Sequence, residues 1–203
     1  MAEYDPQGRV RNPDHVTLHY CDRGLSYMAH TTRIRRSGTR ELEIDLAELC
    51  ISVSGFCSKT GHHGPRAAAG VYFGEGSPYS WAGELNPQSN RLTDQTAELF
   101  ATIRALRIFT DQRVRHGGPW NDIRTIVLIT DSEFVFKAMT RYVWRWQVNG
   151  WLNAKGLPIV NIKKIQALHN TILDLEASGI RVVLWCVHKN HNTEAIDLAG
   201  SFL

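Results

Sequence analysis

The chain has 203 residues, 43% hydrophobic and 21% charged, the balance of a soluble globular protein long enough for one core and an extension. A net charge of +3 permits contact with polyanions without arguing for it, and no apolar run approaches the about 20 residues that cross a bilayer, so no membrane partner is expected. Met1-Ala2-Glu3-Tyr4-Asp5 lacks the basic-then-apolar start of a secretory leader, which makes an intracellular location, cytoplasm or nucleus, the expectation. Cys21, Cys50, Cys57 and Cys186 have no C-x-x-C spacing and are expected as buried thiols.

Residues 1–40 are polar and read as an irregular N-terminal extension. Its arginines, Arg33, Arg35, Arg36 and Arg40, suit either a solvated arm or one that touches phosphates. Residues 41–203 read as one domain. Leu49-Cys50-Ile51-Ser52-Val53 predicts a strand, followed by a Gly-rich turn over 55–65. Further strands are expected over 67–73, whose small residues suggest close backbone packing, and over 79–85; short turns make the three an antiparallel meander. A long helix then opens at Thr93 or Asp94 as cap, with Leu99, Ile103, Leu106 and Ile108 as its apolar face. Gly117-Gly118-Pro119 stops it.

Thr125-Ile126-Val127-Leu128-Ile129-Thr130 is apolar enough for a buried central strand. Asp131-Ser132 ends it and caps a helix holding Phe134, Val135 and Met139, and the stretch 142–151 is unusually aromatic. Beyond Gly156-Leu157-Pro158 come a helix over 161–177 ended by Gly179, a strand over 180–187 and a last helix over 193–203. The order implies an α/β fold: a mixed five-stranded sheet, three antiparallel strands then two parallel additions, with helices packed on it.

Three words in this order resemble ribonuclease H type 1, in particular its fungal branch, from about residue 49 to the end. T-D-Q-T-A-E (93–98) resembles the family's T-N-Q-R-A-E, and T-D-S-E-F-V (130–135) resembles T-D-S-x-x-V. W-R-W-Q-V-N-G-W-L-N-A-K-G-L-P-I-V-N (144–161) resembles the segment supporting the family's substrate-gripping handle. The resemblance implies a ribonuclease H-like fold and cleavage of the RNA strand of an RNA–DNA hybrid. It also implies four carboxylates holding two Mg²⁺ or Mn²⁺ ions, one activating water and the other stabilising the leaving oxygen. Two close divalent cations repel unless carboxylates bridge and neutralise them.

Carried over position by position, the second and third carboxylates are Glu98 and Asp131, which would be the metal ligands. Read without the resemblance, Glu98 is a first-turn helix acid and Asp131 a helix cap. The first carboxylate, in a word like Y-T-D-G, falls on Ser54 of Ser52-Val53-Ser54-Gly55, a neutral and weak ligand. The fourth, in N-T-x-A-D-x-L-A, falls on Ile196, with Asp197 one residue later and turned by about 100° unless the helix entry slips. Glu194 and the acids Glu43, Asp45 and Glu48 offer no rescue, since Glu48 lies roughly 20 Å along the strand from Ser54.

Tyr142, Trp144, Trp146 and Trp151 look like the aromatic handle, Trp146 and Trp151 mainly as packing. Arg141, Arg145, Asn149 and Lys155, followed by Lys163 and Lys164, would face the DNA strand, and Lys189 with His188 and His191 would lie near phosphate. Gln95 matches a position that contacts the RNA minor groove, while Asp94 replaces the usual asparagine with a pure acceptor.

Three readings stay open. One is a catalytically impaired pseudonuclease retained to bind an RNA–DNA hybrid, another duplex, or a protein. Another is an active metal-dependent hybrid nuclease using Glu98, Asp131 and Asp197. The third is a pure protein-interaction domain. The cofactor would be Mg²⁺ or Mn²⁺ if the site is active and none otherwise, and no small-molecule cofactor is expected.

Overall fold

The computed structural model describes residues 2–3, 17–20, 23–34, 40–58, 64–87 and 92–203. Its strands are β1 (Ala2–Glu3), β2 (Thr17–Tyr20), β3 (Leu25–Ile34), β4 (Arg40–Ser58), β5 (Arg66–Tyr72), β6 (Trp81–Glu84), β7 (Thr125–Thr130) and β8 (Arg181–Cys186). The expected five-stranded sheet is present as β6-β5-β4-β7-β8, antiparallel across the first three and parallel from β4 through β7 to β8. All six residues of β7 are buried, as a central parallel strand covered on both faces must be.

The described part of residues 1–40 corrects the expectation of an irregular arm. Antiparallel pairing joins β2 to β3 and β3 to β4, and β1 lies parallel to β8, so among the described residues the sheet has eight strands. The reason is burial: Leu25, Tyr27, Met28 and Ala29 are at most 2% exposed, and buried backbone needs ladder partners. β4 begins at Arg40, so no structural break marks residue 41. Since β7 occupies one edge of β4 over Glu48–Val53, β3 and β5 share the other edge end to end. In β3 the backbone of Arg33 stands opposite Glu41 and Ile34 opposite Arg40; Arg35 and Arg36 lie outside the described residues, as does Cys21.

The helices are α1 (Asp94–His116), α2 (Pro119–Asp122), α3 (Glu133–Lys137), α4 (Val143–Val148), α5 (Ile162–Ala177) and α6 (Thr193–Gly200). The apolar faces of α1 and α5 bury Leu99, Leu106, Phe109, Ile165, Leu168 and Ile172 in the same core as Ile51, Val53, Ile126 and Leu128. Each such side chain contributes about 1.5–3 kcal/mol on burial. Thr93 caps α1, its Oγ1 accepting from Thr96 N–H at 3.2 Å, and α1 stops before Gly117 as the sequence indicated.

Two glycines let helices touch the sheet. The turn expected from Gly55 onward starts later, because β4 continues to Ser58 beneath the start of α1. A Cβ on Gly55 would lie 2.4 Å from the Ala97 carbonyl carbon. On the opposite face, a Cβ on Gly70 would lie 2.3 Å from Ala195 O and 2.7 Å from Ala199 N. α6 therefore rests directly on β5. Cys50 is buried, and Cys57 and Cys186 are half-buried. Among the described residues no helix is long and apolar enough to cross a membrane.

Candidate active site and duplex-binding face

The β4–β7 ladder ends by pairing Val53 with Thr130, so Ser54 and Asp131 follow side by side at the ends of two adjacent strands, about 4.8 Å apart in backbone. α1, pressed onto Gly55 at Ala97, brings the next residue, Glu98, to the same place. Three of the four positions singled out in the sequence thus converge.

The fourth supplies no acid there. Ala195 and Ala199 are fully buried against β5, one helical turn apart. Asp197, two residues from each, projects from the opposite side of α6 and is exposed, while Ile196 is half-buried. A one-residue slip would put Ile196 and Gly200 in place of the alanines, and an isoleucine does not fit where Gly70 was needed. The structure does not bring Asp197 to Glu98 and Asp131.

Protein donors satisfy the two converging acids. Ser132 Oγ donates to Glu98 Oε2 at 2.5 Å and accepts from Val135 N–H at 3.2 Å, so the α3 cap and the Glu98 clamp are one hydroxyl. Asn192 Nδ2 donates to Asp131 Oδ1 at 2.6 Å and to Val53 O at 3.0 Å, tying the α6 entry to β4 and β7. Asn192 thereby forgoes capping α6. Burial drives the Glu98 carboxyl up to about 7; the Ser132 hydrogen bond opposes this, and the negative charges of Asp131 and Asp94 add to it. Ser54, 6% exposed, contributes a neutral hydroxyl.

This donor set does not fit a two-magnesium centre. It offers a carboxyl that is half protonated near neutral pH, a carboxylate already holding an amide, a hydroxyl and an isoleucine. Among the described residues no three His, Cys, Asp or Glu side chains stand close enough to hold a metal ion.

Of the positions that the resemblance would set against a duplex, Gln95 is exposed in the first turn of α1. Beside it, Asp94 has a part that sequence reasoning missed: its Oδ1 accepts the Cys57 N–H at 2.7 Å, pinning the start of α1 to β4. Arg141 and Arg145 are exposed one turn apart, Arg141 in a π turn (Ala138–Tyr142) and Arg145 in α4. Asn149 is exposed, but its amide closes a turn with the Leu152 backbone, donating at 2.8 Å and accepting at 3.2 Å. Lys155 lies exposed on the following loop, and Lys163 and Lys189 are exposed; Lys164 is half-buried, its pKa lowered by burial. His188 Nδ1 accepts from Asn190 N–H at 3.3 Å, which shapes the turn before α6. Trp146 and Trp151 pack against the core as expected, whereas Tyr142 and Trp144 stay 44% and 43% exposed.

A ribonuclease H family model matches residues 48–200. The chain belongs to the ribonuclease H family. It is 30% identical to human ribonuclease H1 over 132 residues, 65% of this chain and 42% of the human protein. It therefore spans about two fifths of that relative. Among solved structures it resembles a type 1 ribonuclease H with the type 2 active-site motif (TM-score 0.54, 22% identity, 78% of this chain and 73% of that one). It also resembles the foamy viral protease–reverse transcriptase in complex with an RNA/DNA hybrid (TM-score 0.51, 20% identity, 75% of this chain and 19% of that one). At these identities the structural likeness is one of fold.

Proposed function

We propose that this ribonuclease H domain binds an RNA–DNA hybrid along the face carrying Gln95, Arg141, Arg145, Lys155 and Lys189, and cleaves it poorly or not at all. One observation carries the second half: of the four positions that would hold metal, only Glu98 and Asp131 present carboxyls to one another, and Ser132 and Asn192 occupy both. The first half draws support from the exposure of all four cations, Arg141 and Arg145 one turn apart, and from a foamy viral neighbour in complex with a hybrid. Contacts to phosphate need no catalytic metal, so grip and cleavage are separable properties of this fold.

The test measures both on one preparation. Binding of a labelled hybrid should persist in EDTA, while Mg²⁺ or Mn²⁺ should give no cleavage above that of Glu98→Gln. Cleavage that vanishes in Glu98→Gln would overturn the reading. The double variant Ser54→Asp with Ile196→Asp, which returns carboxylates to both vacated positions, should gain metal-dependent cleavage.

A further inference from the structure

α5 buries Ile165, Leu168 and Ile172 at 0–1% exposure, yet His169 lies on the same helix, itself 1% exposed. A buried imidazole needs partners, and this one has a single hydrogen bond. The Gln147 amide Nε2 lies 2.9 Å from ring Nε2, which makes Nε2 the acceptor and leaves the proton on Nδ1. Nδ1 is buried and finds no partner. An unsatisfied buried donor costs about 1–3 kcal/mol, so leucine or phenylalanine here would stabilise the fold. The histidine is a liability for packing alone.

Two of its contacts reach one element. Gln147 is on α4, and the edge of Trp144, also on α4, meets the imidazole at 5.3 Å and 87°. α4 is six residues long and enters through the π turn, whose wider winding advances the helix out of α-helical register. Val143 is fully buried and Trp146 packs against the core, and the bond from Gln147 to His169 adds a polar hold on how so short a helix is rotated about its axis. Rotation matters because Arg145 stands on its exposed side, and Arg141 on the π turn that leads into it. At a side-chain radius of about 5–6 Å, a turn of about 30° moves a guanidinium stem by about 3 Å, a whole hydrogen-bond length.

We infer that His169 is a positioning residue for duplex binding: through Gln147 and Trp144 it sets the rotation of α4, and so the placement of Arg141 and Arg145 against the phosphate backbone. This rests on the hybrid-binding reading above. His169 touches no nucleic acid itself.

His169→Phe keeps an aromatic edge for Trp144 and removes the hydrogen bond. It should leave the melting temperature unchanged or raised while weakening hybrid affinity 3- to 10-fold and lowering the salt slope by about one phosphate contact. Gln147→Leu breaks the same bond from the exposed side, without entering the core, and should weaken binding to a similar extent. The deciding readout is a double-mutant cycle on hybrid affinity. Arg145→Gln should weaken the wild-type chain but add little in the His169→Phe or Gln147→Leu background. Wild-type affinity in both single variants, or losses that simply add to that of Arg145→Gln, would overturn the positioning role and leave hybrid binding intact. A wild-type chain that binds no hybrid at any salt concentration would overturn both readings together.

Discussion

Glu98 is an acid kept where ionisation is disfavoured. Its folded pKa of about 7 lies above the ordinary 4.5, so between those values the folded chain holds a proton that the unfolded chain releases. Its contribution is therefore fully present below pH 4.5 and is lost as pH rises through about 7. The gap amounts to about 3–4 kcal/mol. Glu98→Gln, whose Oε1 can still accept from Ser132, should erase this slope and leave the variant more stable than wild type at pH 8 by about that amount. Urea unfolding at pH 5 and pH 8 checks it; equal stabilities at pH 8 would mean that Glu98 is ionised at no cost. The sequence located Glu98 and Asp131 by the words around them, and Ser54 and Ile196 by the same alignment. It did not reveal what holds the acids. Ser132 read as part of a helix cap and Asn192 only as the opening of the last helix's word, and only the strand-end geometry turns Ser132 Oγ toward Glu98 and the Asn192 amide toward Asp131. Asp94 was legible as an altered residue but not as the anchor of the Cys57 amide, because that bond spans 37 residues.

The placement of α6 decides whether a fourth acid can arrive, and Gly70 decides the placement of α6. Both atoms crowding its missing Cβ are helix backbone, which cannot turn aside as a flexible side chain would. Gly70→Ala should therefore lift α6 from β5 and break the Asn192 bridge to Val53 and Asp131, costing about 3 kcal/mol or more. Loss of amide protection at Ala195 and Ala199 in hydrogen exchange would localise the damage; a variant within about 0.5 kcal/mol of wild type would show the helix free to shift. Asp197→Ala, on the solvent side, should change stability by no more than about 0.5 kcal/mol. At this scale the sequence reading was strongest in the middle of the chain. The strand at Thr125–Thr130 and the helix from Asp94 to His116 stand as read, because each has an unbroken apolar pattern between clear stop signals. β3 was missed because its residues, Leu25-Ser26-Tyr27-Met28-Ala29, mix small, polar and apolar types without alternation while being buried on both faces. The π turn was invisible for a different reason: one residue of extra winding leaves the composition unchanged.

The whole molecule combines a sheet lengthened to eight strands, a carboxylate pair closed by its own hydrogen bonds, and a cationic face supported from beneath by α5. Divalent ions test whether this arrangement behaves as a two-metal enzyme. A cation that binds the folded state raises its stability by RT ln(1 + [L]/Kd), about 2.7 kcal/mol at a hundredfold excess over Kd. Glu98 holds its proton up to about pH 7, so 10 mM Mg²⁺ should leave the melting temperature unchanged beyond the ionic-strength effect seen with an equivalent sodium salt. Ser54→Asp with Ile196→Asp packs two further acids against Glu98 and Asp131. Without metal they should repel and lower the melting temperature, and Mg²⁺ should recover it. The same pair of proteins separates grip from chemistry. Hybrid binding depends on counterion release from phosphates, so both should lose affinity with added salt at the same logarithmic slope, set by the number of cations engaged. A metal-dependent rise in wild-type melting temperature would mean that Glu98 and Asp131 recruit a cation despite Ser132 and Asn192. Parallel slopes with divergent Mg²⁺ responses would mean that the duplex-binding face has been kept while the metal centre it once served has been lost.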